Sequence, residues 1–173
     1  EDEVVLCTTG DGTTSEGEFW EALNTACNLK LPVVFLVEDN GYAISVPVEV
    51  QTAGGSVSRL LSGFPDLFRI ECNGCDVLDS YRAAGEAVRW ARERKGPALI
   101  HAHVVRPYSH SMSDDERMYR TESEREEQDR RDPLRVTRTL LLEEGLATEE
   151  ELDALEAEVV RSVVEAADQA LAS

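Results

Sequence analysis

Two short apolar runs, Val4 to Thr8 (VVLCT) and Val33 to Glu38 (VVFLVE), flank a glycine turn and a helical segment, and this arrangement constrains the fold more than any other feature. Both runs are rich in β-branched residues and lack polar alternation, the pattern of strands buried on both faces of a parallel sheet. Between them Phe19, Ala22, Leu23 and Ala26 recur at helical spacing after Ser15-x-x-Glu18, which has the form of a capping box. Pro32 ends the connection. A strand, a crossover helix and a second strand of this size predict a βαβ unit whose strands are parallel neighbours.

The alternation continues down the chain. Leu67 to Cys72 predicts a strand, Asp79 to Lys95 a helix with Tyr81, Ala84, Val88 and Ala91 on one face, and PALIHAHVV a further strand. The expected fold class is therefore α/β, a parallel sheet with helices on both faces. Beyond Pro107 the chain is polar and aperiodic until about Glu122, a long loop of the kind that is usually either functional or disordered. Leu134 to Glu144 reads as a helix closed by Gly145, and Thr148-x-x-Glu151 caps a last helix with Leu152, Leu155, Val159, Val163 and Ala170 on one face. The expected organisation is an α/β domain over residues 1–133 and a helical extension over 134–173 that packs on the domain or on a partner.

Composition narrows the partners. With 17 basic against 35 acidic residues the net charge is -18, which repels phosphate backbones and anionic lipid, so neither nucleic acid nor a membrane is expected as a partner. The four cysteines, Cys7, Cys27, Cys72 and Cys75, accompany no signal peptide and no long apolar stretch. An intracellular chain with reduced thiols is expected, cytoplasmic in a bacterium or in the mitochondrial matrix of a eukaryote. Cys72 to Cys75 has the C-x-x-C form, but it lacks a second pair, and Asn73-Gly74 marks it as a strand end and turn. The opening EDEVVLCTT, without an initiating Met, reads as a segment of a longer polypeptide.

Two turns carry the chemistry. Gly10-Asp11-Gly12 follows the first strand and Asn40-Gly41 follows the second. Ligands of open α/β sheets bind beyond the carboxyl ends of the strands, so Asp11 and Asn40 can converge although far apart in sequence. A carboxylate, an amide oxygen and a main-chain carbonyl are hard donors suited to magnesium or calcium, and magnesium completes its shell with waters and substrate phosphates. Gly10 and Gly12 allow a sharp turn and close approach of phosphate, to which the N-terminus of the following helix offers free N–H groups. Neither a Walker A motif nor G-x-G-x-x-G is present.

Gly10-Asp11-Gly12 followed by Asn40-Gly41-Tyr42 resembles the metal and diphosphate motif of thiamine-diphosphate enzymes. More narrowly, GDGTTSEGEFWEALNTACNLKLPVVFLVEDNGYAIS together with RPYSHSMSDDERMYR is similar to the alpha subunit of the decarboxylating component of 2-oxo acid dehydrogenase complexes, branched-chain members most and pyruvate members next. The resemblance is strongest from Val4 to about Pro133. It implies that Asp11 and Asn40 give side-chain oxygens and Tyr42 its main-chain carbonyl to magnesium, which bridges the cofactor diphosphate. It also implies that Gly10, Asp11, Gly12, Thr13 and Thr14, with Asn40, Gly41, Tyr42, Ala43 and Ile44, line thiamine diphosphate. His110 matches the family histidine that reaches the cofactor and is the catalytic candidate, while Ser111 occupies the place of a regulatory phosphorylation site in mitochondrial relatives. One departure is visible: the family usually has two adjacent asparagines, and here the first is Asp39, an acid that alters the local field.

The activity so implied is thiamine-diphosphate-dependent oxidative decarboxylation of a branched-chain 2-oxo acid, with the acyl group passed to a lipoyl group. The implied partners are a beta subunit or beta-type pyrimidine domain, which completes the active site in a heterotetramer, and the lipoyl domain of an acyltransferase. The chain alone is expected to be an inactive half-site. Two other readings stay open: another thiamine-diphosphate enzyme, such as a pyruvate or acetoin dehydrogenase or a transketolase-like protein, and a non-catalytic magnesium-binding α/β regulatory module. His101 and His103 alternate on one strand face and read as satisfied strand histidines.

Overall fold

The computed structural model describes residues 2–172. It divides into two compact units, Glu1–Pro133 and Leu134–Ser173. In the first, four parallel strands, β1 (Val5–Gly10), β2 (Val33–Asp39), β5 (Phe68–Asn73) and β6 (Ala98–His103), form a sheet in the order β1-β2-β6-β5. Tyr42–Ala43 (β3) and Val46–Pro47 (β4) make a separate small hairpin. Two one-turn helices, α2 (Val48–Gln51) and α3 (Val57–Leu60), follow it. The longer helices of this unit are α1 (Gly17–Leu29), α4 (Val77–Arg92) and α5 (Glu122–Arg130).

Helices cover both faces, each with its own core. On one face Phe19, Leu23, Ala26 and Cys27 of α1 pack with Phe35 and Val37 of β2, Leu99 of β6, and Val57 of α3. On the other, Ala83, Ala87 and Ala91 of α4 pack against Val34, Ala98, Ile100 and Ala102. Strand alternation sorts the residues: even-numbered β2 positions face α4, and odd-numbered ones face α1.

Several expectations are corrected here. Strand β1 is not buried on both faces: Val5 and Leu6 are 59% and 61% exposed, because β1 lies at the sheet edge, where among the described residues it pairs with β2 alone. On α4 the expected face is realised at Ala84, Val88 and Ala91, with Ala83 and Ala87 completing the contact ridge, whose small side chains let the helix lie close to the sheet; only Tyr81 departs, and it is exposed. In α1, Cys27 takes an inward position and Ala22 an outward one. The expected box at Ser15 does not form. Gly12–Ser15 make a 3₁₀ turn first, Glu16 becomes the N-cap without a side-chain bond, and Ser15 instead donates to Gln51 Oε1 at 3.2 Å. The first free N–H groups after the glycine turn thus belong to that short turn, not to α1.

Other signals are realised as read. Thr121 and Glu124 form a capping box on α5. Cys75 N–H bonds Asn73 Oδ1 in the Asn-Gly turn, and the four cysteines are free thiols.

The second unit contains most of α6 (Pro133–Glu143) and all of α7 (Glu149–Ala172). Gly145, at φ 63°, closes α6 with bonds from its own N–H to Leu142 and from Leu146 N–H to Leu141, a Schellman arrangement. Thr148 and Glu151 bond each other's backbone N–H groups at the start of α7. Arg138 of α6 reaches Glu149 and Asp153 of α7. Leu155, Val159 and Val163 on α7 are exposed. Among the described residues no helix is long and apolar enough to cross a membrane.

Leu23 is completely buried between α1 and the sheet. Leu23→Ala is expected to cost about 2–5 kcal/mol of unfolding free energy, measured by urea denaturation.

Candidate functional site

The register of β1 and β2 builds the site. Gly10 pairs with Glu38, so both strands reach their carboxyl ends at one level, and the segments that leave them emerge side by side. The two turns then press together: a Cβ on Gly12 would lie 2.9 Å from the Ala43 Cβ and 3.1 Å from its Cα. Only glycine fits at 12 without moving the Asn40–Ala43 segment. Gly41, at φ 80°, lets the second turn reverse, and Asp39 Oδ1 accepts its N–H at 2.8 Å.

Asp11 is 1% exposed. One carboxylate oxygen, Oδ2, accepts a bond from Gln51 Nε2 at 3.0 Å, whereas Oδ1 is buried without a partner. Asn40 Oδ1 is likewise buried and unpartnered. Buried acceptors with no donor are uncommon and costly, and two of them at adjoining turns could hold a cation. Burial, and next the charge of Asp39, push the Asp11 carboxyl up from its ordinary range, against the opposing backbone N–H groups of Asn40, Asp11 and Gly12. Burial also opposes charge on Asp39, but hydrogen bonds from His101 and Gly41 and the field of the two histidines outweigh it and hold that carboxyl low.

The remaining residues singled out in the sequence are placed as follows. Thr14 is buried, its hydroxyl donating to the Asp11 carbonyl at 2.6 Å, and Thr13 is exposed. Tyr42 starts the β3–β4 hairpin and donates its phenol to Glu124 at 2.9 Å. Ile44 is an exposed residue at φ 58°. His110 is exposed, and its backbone N–H bonds Asp114 at 2.8 Å. Ser111, beside it, is exposed and within 3.2 Å of the Ser113 hydroxyl.

The loop that carries His110 is fastened to the second turn. Arg106 donates to the Ile44 carbonyl at 2.8 Å and to the Tyr119 hydroxyl at 2.6 Å. Arg120, 3% exposed, lies over the Tyr42 ring at 4.8 Å and bonds the Arg106 carbonyl. Sequence reasoning missed these anchors, although Arg106, Tyr119 and Arg120 lie inside the quoted RPYSHSMSDDERMYR stretch. It also missed Gln51, which nothing local distinguishes, since its reach to Asp11 depends on the hairpin. Gln51 further lines a cleft of about 280 Å³ with Thr14, Ser15, Trp20, Thr52 and Leu60.

Both strand histidines are hydrogen-bonded, as expected: His101 to Asp39 and Ser58, His103 to Glu71. Ligand atoms of Asp39, His101 and His103 lie within 4.8 Å of one another, one trio among the described residues that could hold a metal ion.

The whole chain, residues 1–173, matches the family model described as the dehydrogenase E1 component. The chain belongs to that family. It is 38% identical to the 2-oxoisovalerate dehydrogenase subunit alpha of Bacillus subtilis (strain 168) over 169 residues, 98% of this chain and 51% of that protein. It is 40% identical over 146 residues to the 3-methyl-2-oxobutanoate dehydrogenase subunit alpha of Mycobacterium tuberculosis (strain H37Rv), covering 84% of this chain and 40% of the relative. Against the pyruvate dehydrogenase E1 component subunit alpha of Bacillus subtilis (strain 168) it is 37% identical over 169 residues, 97% of this chain and 44% of the relative. The chain thus spans about half the length of the curated relatives it matches. As a dehydrogenase E1 component it falls among proteins for which thiamine diphosphate is the expected cofactor.

The raised Asp11 carboxyl has a consequence for stability. The folded chain holds this proton more tightly than the unfolded one, so the group's contribution falls as pH rises from the ordinary carboxylate range through the raised value. Asp11→Asn is therefore expected to raise the melting temperature of the metal-free chain at neutral pH, with the advantage vanishing in acid. Equal melting temperatures across that range contradict it.

Proposed function

We propose that this chain is the magnesium- and diphosphate-binding part of the alpha subunit of a thiamine-diphosphate-dependent 2-oxo acid dehydrogenase. The observation that carries the reading is the pair of buried, unpartnered oxygens, Asp11 Oδ1 and Asn40 Oδ1, on turns held together at Gly12 and Ala43. This donor set suits a hard divalent cation that keeps open positions for phosphate oxygens. Asp11, Asn40 and the Tyr42 carbonyl would hold magnesium. The 10–14 and 40–44 segments would hold the diphosphate.

Thiamine diphosphate, when bound, supplies the carbanion-stabilising chemistry that a 2-oxo acid needs to lose carbon dioxide. The chain's own residues bind and orient. Gln51 fixes the Asp11 carboxylate from behind, leaving the other oxygen for the cation. Thr14 holds the turn through the Asp11 carbonyl. Arg106 and Arg120 fasten the His110 loop to the second turn, and His110, exposed on that loop, would meet the cofactor and the acyl-transfer step.

A branched-chain 2-oxo acid is the proposed substrate, supported by the NGYAIS stretch and by relatives named for 2-oxoisovalerate and 3-methyl-2-oxobutanoate. Pyruvate is the competing reading, supported by the 37% identical pyruvate relative. The proposed partners are a beta subunit, which completes the active site, and the lipoyl domain of an acyltransferase, which takes the acyl group.

Calorimetric titration of the chain with thiamine diphosphate tests the cofactor site. Binding is expected to require magnesium, to vanish with a chelator and to be lost in Asn40→Ala. Absent binding by the unaltered chain, or undiminished binding by Asn40→Ala, overturns the reading. The chain alone is also expected to release no carbon dioxide from a 2-oxo acid; measurable release contradicts its assignment as a half-site.

A further inference from the structure

The two carboxylate oxygens of Asp11 are unequally free. Oδ1 is buried and bare, whereas Oδ2 accepts the Gln51 side-chain N–H at 3.0 Å. The other end of the same amide is engaged as well, since Gln51 Oε1 accepts the Ser15 hydroxyl at 3.2 Å. An amide is a donor at its nitrogen and an acceptor at its oxygen. Only the donor end suits a carboxylate, so Asp11 sets the direction of the amide and Ser15 holds the end that remains. Gln51 is the last residue of α2, and α2 is tied to the second turn, because the Val48 N–H bonds the Gly41 carbonyl at 2.9 Å. A continuous set of contacts therefore runs from the turn that carries Asn40, through α2, to one oxygen of Asp11.

A carboxylate meets a cation through one oxygen or through both. Calcium accepts either mode, with about six to eight oxygens at about 2.3–2.6 Å, whereas magnesium demands a near-ideal octahedron at about 2.0–2.1 Å. The short bite of a carboxylate spans two corners of so small an octahedron poorly. We propose that Gln51, held by Ser15, keeps Asp11 a one-oxygen ligand and thereby makes the site select magnesium over calcium. Gln51 acts through Asp11 and is a positioning residue. Its amide does this without charge: a lysine or arginine in its place would neutralise Asp11 and weaken its pull on a cation. The proposal rests on the cation and cofactor site described under Proposed function.

The test measures thiamine diphosphate affinity by calorimetry twice for each protein, once at saturating magnesium and once at saturating calcium, and reads the ratio. The proteins are the unaltered chain, Gln51→Met and Ser15→Ala, each checked by circular dichroism. Methionine keeps the length of the glutamine side chain and removes both of its hydrogen bonds. Ser15 is exposed, so its replacement leaves the core untouched. In the unaltered chain magnesium is expected to support the tighter binding. Gln51→Met is expected to shrink the magnesium-over-calcium ratio by about tenfold, through weaker binding with magnesium and undiminished binding with calcium. Ser15→Ala is expected to move the ratio in the same direction by a smaller factor.

A purely structural role for Gln51 would weaken binding with both cations alike and leave the ratio where it was. Such a parallel loss overturns the proposal, as does an unchanged ratio in Gln51→Met or equal affinity with the two cations in the unaltered chain. Crystals of Gln51→Met grown with calcium and thiamine diphosphate give a direct check: both Asp11 oxygens are expected within about 2.6 Å of the ion. An ion bound there through one Asp11 oxygen overturns the proposal. Absence of thiamine diphosphate binding by the unaltered chain with either cation rejects the cofactor site itself, and the proposal with it.

Discussion

The structure depends on the parallel register of β1 and β2. Because Gly10 stands opposite Glu38, the chain leaves both strands at the same height, and Asp11 and Asn40 arrive together without any local sequence contact between them. A one-residue slip of β2 against both its neighbours, β1 and β6, would turn its alternating faces over, exposing Phe35 and Val37 and carrying Asp39 out of reach of His101 on β6. The hydrophobic pattern that fixes the core therefore also fixes the site. Gly12 is the second half of this constraint, since its missing side chain is the space that Ala43 fills.

The carboxyl ends of the strands concentrate the polar cost of the fold. Asp11 is buried with one oxygen bare, Asn40 has a bare amide oxygen, and Asp39 is buried and hydrogen-bonded to His101 and to the Gly41 N–H. Unpaired buried acceptors cost free energy, and a cation held between them would recover it. The two acids diverge for a physical reason. Asp11 lacks a positive partner and its carboxyl is pushed up; Asp39 has His101 and its carboxyl is held down. A pair of neighbouring groups driven apart in this way is a common mark of a functional site.

Much of this was legible in the sequence, and the rest failed for identifiable reasons. β2 is a central strand, and its apolar run Val33 to Val37 announced burial on both faces; β6, also central, was legible only as a strand. β1 has the same kind of run yet lies at an edge, because strand order is set by the crossovers and not by the strand's own residues. Ser15 had a capping box's spacing, but the 3₁₀ turn that starts at Gly12 consumed it first. That Asp11 and Asn40 lie on adjoining turns was legible because each directly follows a strand. Gln51 and His101 were not assigned to the site: one reaches Asp11 through a hairpin across 40 positions, and the other meets Asp39 across 62. Side chains that support a ligand from behind are recruited by tertiary structure, and no local spacing marks them.

The central claim is that the cation site lies at Asp11 and Asn40. The most direct test is anomalous diffraction from crystals of the chain grown with manganese and thiamine diphosphate, manganese standing in for magnesium. A single strong peak about 2.1 Å from Asp11 Oδ1 and Asn40 Oδ1, with the Tyr42 carbonyl in the same shell, is the expected result. A peak at Asp39, His101 and His103 instead, or density for the cofactor without a metal between the two turns, contradicts it.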